Sequence, residues 1–402
     1  MELRLKRCGL WALAALAVTT GATTGQAAAW TSTGPTSLDN PLANHPWYVD
    51  WSSPEHAQGQ FVSYLTRGHP DAVDALVYGR SVLALPERER DVLRRDARVA
   101  IGRDPYAWLR RVPAARREDA RLLLKIARNP QTFRVGRWRG AAHNPFPKLD
   151  RYLDEVDRVS PGAQAFLYVY GFQHHPVLGR CDHWAGGPRF WAAYRPWIRR
   201  VAAAIGDRRV AVFLEPDGLG TTPCMAARAR AVRYGLFRYA IMTLGRDRNA
   251  TIYLDAGHSG WLKAGVKARL LRRAGGMNPR VRGFFLNSTG YNRTSAEIRH
   301  GNRVARLLHG KHFVVSTAVN GNGPYRVRRR RYANEQRCNP PGRALGPEPS
   351  VQTGSAFTDA FLWIGQPGRS GGCRHHGQPK PPPPNHWWEW YALQLAKNAH
   401  WE

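Results

Sequence analysis

Short apolar runs alternate with longer amphipathic segments between residues 163 and 368. The apolar runs are rich in β-branched and aromatic residues, which is typical of strands buried on both faces. The predicted strands lie in AQAFLYVYGF, RRVAVFLEPDG, ATIYLDAGH, VRGFFLNSTGY, HFVVSTAVNGNG and FTDAFLWIGQPG. The predicted helices between them lie in FWAAYRPWIRRVAAAIG, MAARARAVRYGLFRYAIMTLG, SGWLKAGVKARLLRRAGG and SAEIRHGNRVARLLHG. This alternation predicts an α/β fold with a parallel sheet, either a barrel or a doubly wound sheet.

Polar side chains follow the apolar strands at the points where the strands end. These are Asp217, Asp255 with His258, Asn287, and Asn320 with Asn322. Any one of them alone would be explained as a turn residue that caps the next helix. Because parallel strands carry their functional site at their carboxyl ends, the repetition after successive strands predicts one shared cleft.

The first 29 residues have the pattern of a secretory signal peptide. A basic start is followed by an apolar stretch from Gly9 to about Val18 and by small residues at 27–29. The stretch is shorter than a transmembrane helix, and no later segment stays apolar long enough to cross a bilayer. No internal repeat or linker divides the rest, so residues 30–402 are predicted to form one exported domain without a membrane span.

Four cysteines remain after the signal peptide, which itself contains Cys8. They are Cys181, Cys224, Cys338 and Cys373. An even number in an oxidising compartment favours two disulfides, and three pairings are possible. The pairing of sequence neighbours, 181–224 and 338–373, is the simplest. Zinc binding is the competing interpretation, but no pair has the close spacing of a zinc knuckle, so no metal and no cofactor are expected.

The charge of the chain is strongly positive. Sixty lysines and arginines stand against 29 aspartates and glutamates, a formal charge of +31. Such a field attracts anionic polymers, including nucleic acids and acidic polysaccharides. The competing interpretation is that the positive charge reflects the composition of an arginine-rich proteome and is spread over a solvated surface.

Several motifs, taken in order, resemble those of glycoside hydrolase family 6, the family of cellulases that includes endoglucanases and cellobiohydrolases. They are FLEPDGLG, YLDAGHSGWL, RGFFLNSTGYN, VNGNGP, CNPPGRALG, DAFLWIGQPG and WWEWYALQLAKNA. The resemblance runs from about residue 40 to residue 401. It implies a distorted, TIM-like parallel β/α barrel in a single domain that hydrolyses a β-1,4-glucan with inversion. Inversion needs one carboxylic acid for the leaving oxygen and a base that activates water from the opposite face.

The resemblance also assigns roles to individual residues. Asp217 corresponds to the proton donor, while Glu215 is expected to be a partner held in the wall. Arg180 and Asp182, in a rearranged GRCDHWAGG segment, correspond to the family's Arg-Asp-Cys motif, and Asp182 acting through water is the remaining prediction for the base. The residues implied to contact the substrate are Tyr170, Asp255, His258, Trp261 and Asn287. The resemblance pairs the cysteines in the same way, 181 with 224 and 338 with 373.

The chain departs from the family pattern mainly on one side of the predicted cleft. The last strand ends in WIGQPGRSGGC, where the family has a lysine, a glutamate and an aspartate, the last of these a family candidate for the base. The replacing residues are Gly365, Arg369 and Gly371. Further replacements are Ser316 for aspartate, Val319 for arginine, and Arg134, Arg337 and Ala264 for tryptophans.

Three functional hypotheses remain open at this point. The arginines could select an acidic glycan, because guanidinium groups pair with carboxylates and stack on sugars. Activity on a neutral β-glucan could be retained, or the chain could be a non-catalytic glycan- or polyanion-binding protein. A polysaccharide partner, an anionic polymer on the basic surface and a monomeric state are expected.

Overall fold

The computed structural model describes most of the chain after its N-terminal segment. The described residues are 39–80, 82–136, 144–172, 188–246, 249–288, 290–325 and 338–401. They all fall within one compact unit that spans residues 34–402.

Seven strands form a single sheet in which every pair of neighbours is parallel. They are β1 (Phe133–Gly136), β2 (Ala165–Tyr170), β3 (Val210–Leu214), β4 (Ala250–Asp255), β5 (Val281–Leu286), β6 (His312–Ser316) and β7 (Thr358–Leu362). Their spatial order follows the chain order from β1 to β7. The predicted parallel sheet is therefore confirmed, and all six predicted strands are present as β2 to β7.

The sheet curls so that its first and last strands approach each other. An isolated parallel bridge joins Gln131, just before β1, to Trp363, just after β7. The hydroxyl of Thr132 donates to the carbonyl of Ile364 at 2.7 Å, and the Gln366 amide donates to the carbonyl of Thr132 at 2.8 Å. Within the described residues the contact between these two strands is limited to this short region, which is the distortion of the barrel.

In the described part of the chain, eleven α-helices accompany the strands. They are α1 (His56–Leu65), α2 (Val73–Tyr78), α3 (Glu87–Arg103), α4 (Pro105–Leu109), α5 (Arg117–Ala127), α6 (Phe146–Val159), α7 (Pro188–Ile205), α8 (Ala227–Leu244), α9 (Ala264–Ala274), α10 (Thr294–Leu307) and α11 (Glu389–Lys397). Helices α6 to α10 connect successive strands from β1 to β6, as expected for parallel β/α units.

Alternate residues along each strand face two different apolar clusters. On β2, Phe166, Tyr168 and Tyr170 point into the barrel interior, whereas Leu167 and Val169 pack against the surrounding helices. Because both faces of the strands are buried, the strand sequences are apolar throughout rather than alternating. A further cluster, centred on Trp363, joins α1, α5 and α11 to the β7 side of the barrel.

A buried ionic network lies near the amino ends of β5, β6 and β7. The carboxylate of Asp359, which is 1% exposed, accepts two hydrogen bonds from the Arg282 guanidinium at 2.9 Å each. It also accepts a hydrogen bond from the Tyr253 hydroxyl at 2.8 Å and lies 2.9 Å from His312 Nδ1. This network ties four strands together at the end opposite the predicted cleft.

Candidate active site

The segment FLEPDGLG turns sharply as it leaves β3. Glu215 and Asp217 both adopt positive φ angles, 54° and 60°, which are uncommon for residues other than glycine. The turn is closed by a hydrogen bond from Gly218 N–H to the Glu215 carbonyl at 2.9 Å. Two such residues, separated only by Pro216, are characteristic of a site whose surroundings hold the backbone in place.

Glu215 lies in the wall between β2 and β3 and is completely buried. Its carboxylate accepts hydrogen bonds from Gly171 N–H at 3.0 Å, Phe172 N–H at 2.7 Å and the Tyr194 hydroxyl at 2.9 Å. Burial raises the pKa of Glu215 to about 7, although these donors favour the charged form. Glu215 therefore fixes the backbone that follows β2 against the turn that follows β3.

Arg233 on α8 supports the same turn and was not predicted from the sequence. Its side chain is 1% exposed, its guanidinium lies 4.2 Å from the centre of the Phe172 ring, and it donates to the Gly218 carbonyl at 3.1 Å. Burial lowers the pKa of Arg233 to about 10, and the charge of Glu215 opposes that shift. The sequence holds no clear signal for it, because α8 also carries Arg228, Arg230 and Arg238, none of which is buried.

Asp217 and Asp255 are brought together at the ends of neighbouring strands. The backbone N–H of Asp217 donates to Asp255 Oδ2 at 3.1 Å, and Gly257 N–H donates to Asp255 Oδ1 at 3.0 Å. Asp255 is completely buried, whereas Asp217 is partly exposed. Burial, and next the negative charge of Asp217, raise the pKa of Asp255 to about 8. Near neutral pH the pair therefore holds a proton that two isolated carboxyls would have lost.

A buried lysine and a buried glutamate form hydrogen bonds with the loop after β4. Lys267 donates to the carbonyl of His258 at 2.6 Å, and Glu297 accepts hydrogen bonds from the backbone N–H of Ser259 at 2.9 Å and its hydroxyl at 2.6 Å. Burial lowers the pKa of Lys267 to about 8, opposed by the charges of Glu297 and Asp255. The two side chains fix the loop that carries Asp255, His258 and Trp261.

Trp261 lies over glycines at the edge of the cleft. A Cβ atom on Gly220 would lie 2.3 Å from Trp261 Cη2, and one on Gly257 would lie 2.7 Å from Cε3. The indole keeps 37% of its surface exposed. The tryptophan ring packs directly against Gly220, the last residue of FLEPDGLG, so a larger residue would not fit at that position.

His258 and Asn287 are tied into the protein around the cleft. Asn292 Nδ2 lies 2.8 Å from His258 Nδ1, a contact that orients the imidazole ring. Asn287 has a positive φ of 68° and is 2% exposed. Its amide donates to the carbonyls of Asn292 and Ser316, both at 3.1 Å. Asn287 thus connects the ends of β5 and β6, and its predicted contact with a sugar stays a prediction.

A cavity of about 240 Å³ lies beside the carboxyl ends of β1 and β7. Among the described residues, its lining contains two arginines and no carboxylate; these lining residues are Thr132, Arg134, Tyr168, Ser288, Tyr291, Val319, Asn339, Ile364, Gly365, Gln366, Gly368, Arg369, Ser370, Gly371, Asn385 and Tyr391. The cavity is therefore positively charged.

The two arginines converge on Asn385. Arg134 donates to Asn385 Oδ1 at 2.6 Å, and Arg369 donates to its carbonyl at 2.8 Å. The Arg134 guanidinium lies 5.3 Å and 5.5 Å from the ring centres of Tyr168 and Tyr170. Burial, and next the charge of Arg134, lower the pKa of Arg369 to about 10. The two like charges are held close to each other in a partly enclosed space.

The comparisons with known proteins identify the family. A family model described as glycosyl hydrolases family 6 matches residues 107–399. The chain belongs to glycosyl hydrolases family 6. The resemblance drawn from the motifs is thereby confirmed.

Family 6 relatives match most of the chain. Endoglucanase A of Cellulomonas fimi is 34% identical over 289 residues, which make up 72% of this chain but only 58% of that protein. Endoglucanase 1 of Streptomyces halstedii is 33% identical over 278 residues, 67% of this chain and 80% of the relative. The solved structure of endoglucanase Cel6 from Mycobacterium tuberculosis has a TM-score of 0.63 and 31% identity, covering 89% of this chain and 99% of that one. The fold and the family thus agree with the predicted distorted barrel.

The predicted departures from the family 6 pattern gather around the cavity lined by Arg134 and Arg369. Gly365, Arg369, Gly371, Val319 and Arg134 all line it. The other two described departures lie elsewhere: Ser316 is buried at the end of β6, and Ala264 begins α9. Five of the seven described positions at which the motifs predict a departure therefore line one space.

Neighbouring atoms leave no room for a side chain at two of these positions, Gly371 and Gly365. A Cβ atom on Gly371 would lie 2.6 Å from Cys338 Sγ and 3.0 Å from Asn339 Oδ1, and one on Gly365 would lie 2.4 Å from the Ser288 carbonyl oxygen. Gly371 N–H also donates to Asn339 Oδ1. Side chains at these two positions would not fit without movement of the backbone.

Several predictions fall on residues that the structure does not describe. Arg180, Cys181, Asp182 and Arg337 lie outside the described ranges, as does the signal peptide. The disulfide between Cys338 and Cys373 is present, with Cα atoms 5.7 Å apart, whereas the pairing of Cys181 with Cys224 stays a prediction. In the described part of the chain, none of the helices combines the length and apolar character needed to cross a bilayer.

Proposed function

We propose that this family 6 protein is a secreted hydrolase of β-1,4-linked glycans with Asp217 as the general acid. The observation that carries the proposal is the arrangement of Asp217 and Asp255 at the end of β3 and β4, beside the exposed ring of Trp261. A partly exposed carboxyl next to a buried one is suited to donate a proton at the edge of a cleft. An exposed indole is suited to stack on a sugar ring.

The names of the relatives support the substrate class. The matched curated proteins include endoglucanases and 1,4-β-D-glucan cellobiohydrolases. The Mycobacterium tuberculosis enzyme was solved with methyl-cellobiosyl-4-deoxy-4-thio-β-D-cellobioside, a thio-linked sugar chain. A β-1,4-glycan is therefore the substrate class that we assign to this chain.

The proton of the general acid is retained by electrostatics. Asp255 is buried and close to Asp217, so ionisation of both groups is unfavourable at neutral pH. The pair therefore enters the reaction with one proton, and Asp217, as the exposed member, delivers it to the leaving oxygen. Asp255 keeps two backbone N–H donors and acts as the positioning partner.

The base in this proposal is Asp182, acting through a water molecule. The family carboxylate that would otherwise be considered is replaced by Gly371, and the lining of the adjacent cavity contains no carboxylate. Inversion requires activated water on the face opposite the acid, and an indirect base satisfies that requirement through one bridging water.

The substituted side of the cleft is proposed to take an acidic sugar. Arg134 and Arg369 line the same cavity, and Arg369 Nε is buried without a hydrogen-bond partner in the described part of the chain. A carboxylate on the sugar would offset the positive charges of the two guanidinium groups and accept hydrogen bonds from their N–H groups. The stacking of Arg134 over Tyr168 and Tyr170 holds its guanidinium plane in place for this contact.

The remaining parts of the proposal concern location and partners. Export rests on the signal-like pattern of residues 1–29, and a monomer is proposed. The basic surface is proposed to contact an anionic polymer, because the formal charge is +31.

The test is a hydrolysis screen of neutral and uronate-bearing β-glycans with the wild type, Asp217→Asn and a control. Asp217→Asn is expected to lower kcat/KM by about 10² to 10⁴ while its melting temperature stays close to that of the wild type. Asp207→Asn, an exposed aspartate in a turn before β3, is the matched control and should keep full activity. Hydrolysis that survives Asp217→Asn unchanged would remove Asp217 from the role of acid.

A glycan-binding protein without catalysis is the second proposal, favoured by the loss of the carboxylate at Gly371. Wild-type protein that hydrolyses none of the glycans but binds one of them on a glycan array would support it. Binding of neutral cellulose chains alone would rule out the preference for acidic sugars.

A further inference from the structure

The positive charge is concentrated in one stretch of the chain. Residues 227–311 contain 18 lysines and arginines but only three aspartates and glutamates. Two of the three, Asp255 and Glu297, are completely buried, and the third, Asp247, lies outside the described residues. By contrast, residues 39–226 contain 28 basic and 20 acidic residues, and many of these form ion pairs, such as Arg208 with Asp154 and Asp157. A uniform compositional bias does not account for this difference.

Two neighbouring helices in that stretch each present a row of arginines. Helices α9 and α10 pack against each other and contain no phenylalanine, tryptophan or tyrosine. Their exposed arginines are Arg269, Arg272 and Arg273 on α9 and Arg299, Arg303 and Arg306 on α10. We call these six the α9–α10 arginine face. Spacings of three and four residues place each row on one side of its helix.

The arginine face is not explained by the stability of the fold. Like charges three or four residues apart on a helix destabilise it, and none of the six is in an ion pair within the described part of the chain. The Arg272 guanidinium donates to the Leu307 carbonyl at the end of α10, which gives one of the six a structural contact. The other five have exposed side chains whose mutual repulsion a polyanion would relieve.

The position of the face connects it to the cleft. Helix α9 begins at Ala264, three residues after the exposed Trp261, and Arg269 follows about 8 Å further along the helix axis at 1.5 Å per residue. The arginine rows thus start close to the edge of the cleft. A polymer that leaves the cleft on the Trp261 side would meet them.

We propose that the α9–α10 arginine face docks a linear acidic polysaccharide, a uronate-bearing chain of which another segment occupies the cleft. The proposal rests on the acidic substrate class given above and adds a second contact site to it. An acidic polysaccharide is favoured over single-stranded nucleic acid, because single-strand binding combines basic residues with exposed aromatic rings, which both helices lack.

The test measures binding with Asp217→Asn protein, so that hydrolysis does not consume the probe. The probes are hyaluronan, neutral dextran of similar length and a 20-base-pair DNA duplex, titrated at several salt concentrations. The variants are the α9 triple R269Q/R272Q/R273Q and the α10 triple R299Q/R303Q/R306Q. The control triple R80Q/R103Q/R151Q removes the same charge from exposed arginines elsewhere.

The expected result is that either face triple weakens hyaluronan binding about tenfold and makes it less sensitive to salt, whereas the control triple changes it less than twofold. Equal losses in the control triple would overturn the proposal in favour of diffuse charge attraction. Tighter binding of the duplex than of hyaluronan through the same arginines would overturn it in favour of nucleic acid.

The proposed function and the docking face can fail separately. If the wild type hydrolyses no glycan but binds hyaluronan through the α9–α10 arginine face, the docking proposal is supported and the proposed hydrolase activity is overturned. Hydrolysis of an acidic glycan with a KM unchanged in both face triples would support the enzyme and overturn the face.

Discussion

The backbone N–H of Asp217 donates a hydrogen bond to Asp255 Oδ2 at 3.1 Å. This bond holds the turn that carries Asp217 to a buried carboxylate on the next strand, and it also places two acidic groups near each other. Positioning and protonation of the proposed acid therefore depend on the same neighbour. Substitution at Asp255 separates these effects through the pH profile.

Asp255→Asn is expected to move the alkaline limb of the kcat/KM profile to lower pH by about one unit. In the wild type, burial and the charge of Asp217 raise the pKa of Asp255 to about 8, so the pair keeps a proton at neutral pH. Removal of the like charge lets the remaining carboxyl lose its proton at lower pH. Lys267→Met removes a nearby positive charge and should move the limb to higher pH. Shifts of both variants in the same direction would show that the loop, rather than its electrostatics, was altered.

Arg134→Gln is expected to lower the preference for uronate-bearing over neutral β-glycan about tenfold, measured as the ratio of kcat/KM values. The reason is that the cavity loses one of its two guanidinium groups, whereas glutamine can still donate to Asn385. Arg151→Gln, at an exposed position on α6, is the matched control. An equal loss of kcat/KM on both substrates would show that Arg134 supports the structure of the cavity wall rather than substrate selection.

Gly371→Asp is expected to destabilise the protein by about 1–3 kcal/mol without a gain in hydrolysis. The motif resemblance predicts aspartate at this position, but its Cβ would lie 2.6 Å from Cys338 Sγ. Urea unfolding and a hydrolysis assay measure the two effects. Gly265→Asp is the control, because nothing lies within 4 Å of a Cβ at that position. A gain of activity in Gly371→Asp would mean that the segment after β7 opens to admit the side chain.

Gly220→Val is expected to raise KM for an oligosaccharide about tenfold with a smaller change in kcat. The added side chain would displace the Trp261 ring, which lies 2.3 Å from the site of a Cβ on Gly220, and overpacking should also cost about 1–3 kcal/mol of stability. Trp261→Ala should reproduce the rise in KM. A Gly220→Val protein that is less stable but keeps its KM would argue against Trp261 as a sugar platform.

Asp359→Asn is expected to lower the free energy of unfolding at pH 7 by about 3 kcal/mol, since Arg282 would lose its buried partner. Burial alone would raise the pKa of Asp359, but hydrogen bonds with His312 and Arg282 outweigh it and hold the pKa below its usual range. This contribution is present above the unfolded-state pKa near 4 and is lost as the pH falls through the lower folded value. Urea unfolding between pH 7 and pH 2 should therefore show a flatter acid dependence in the variant. Asp71→Asn, which removes an exposed partner of Arg94, should change the free energy of unfolding by no more than about 0.5 kcal/mol at any pH in this range.

The strands of the barrel were predictable because they are buried on both faces. Their apolar runs stand out from the surrounding sequence, and all six that were predicted are present as β2 to β7. The four residues of β1 were missed, because Phe133–Gly136 is short and contains an arginine. Helices α1 to α6 were also not predicted, because the alternation of strands and helices was followed only from residue 163 onward.

The positions of the candidate site residues in the fold were only partly predictable from the sequence. Asp217, Asp255, His258 and Trp261 follow predicted strands, and the structure places them at the carboxyl ends of β3 and β4. Arg233 was missed because an arginine in a helix reads as a surface residue unless its burial against Phe172 is known. The support that Lys267 and Glu297 give to the loop after β4 also depends on contacts between residues that are far apart in the chain.

The sequence by itself determined the parallel sheet, the family and the position of the acidic turn, since each is encoded in local runs of residues. Tertiary structure alone decided what surrounds those positions. It placed five scattered positions of predicted departure around one positively charged cavity, packed Trp261 against Gly220, and left no room for a side chain at Gly371. The physical reason is that charge, burial and steric fit depend on distances in space, which the order of residues along the chain does not specify.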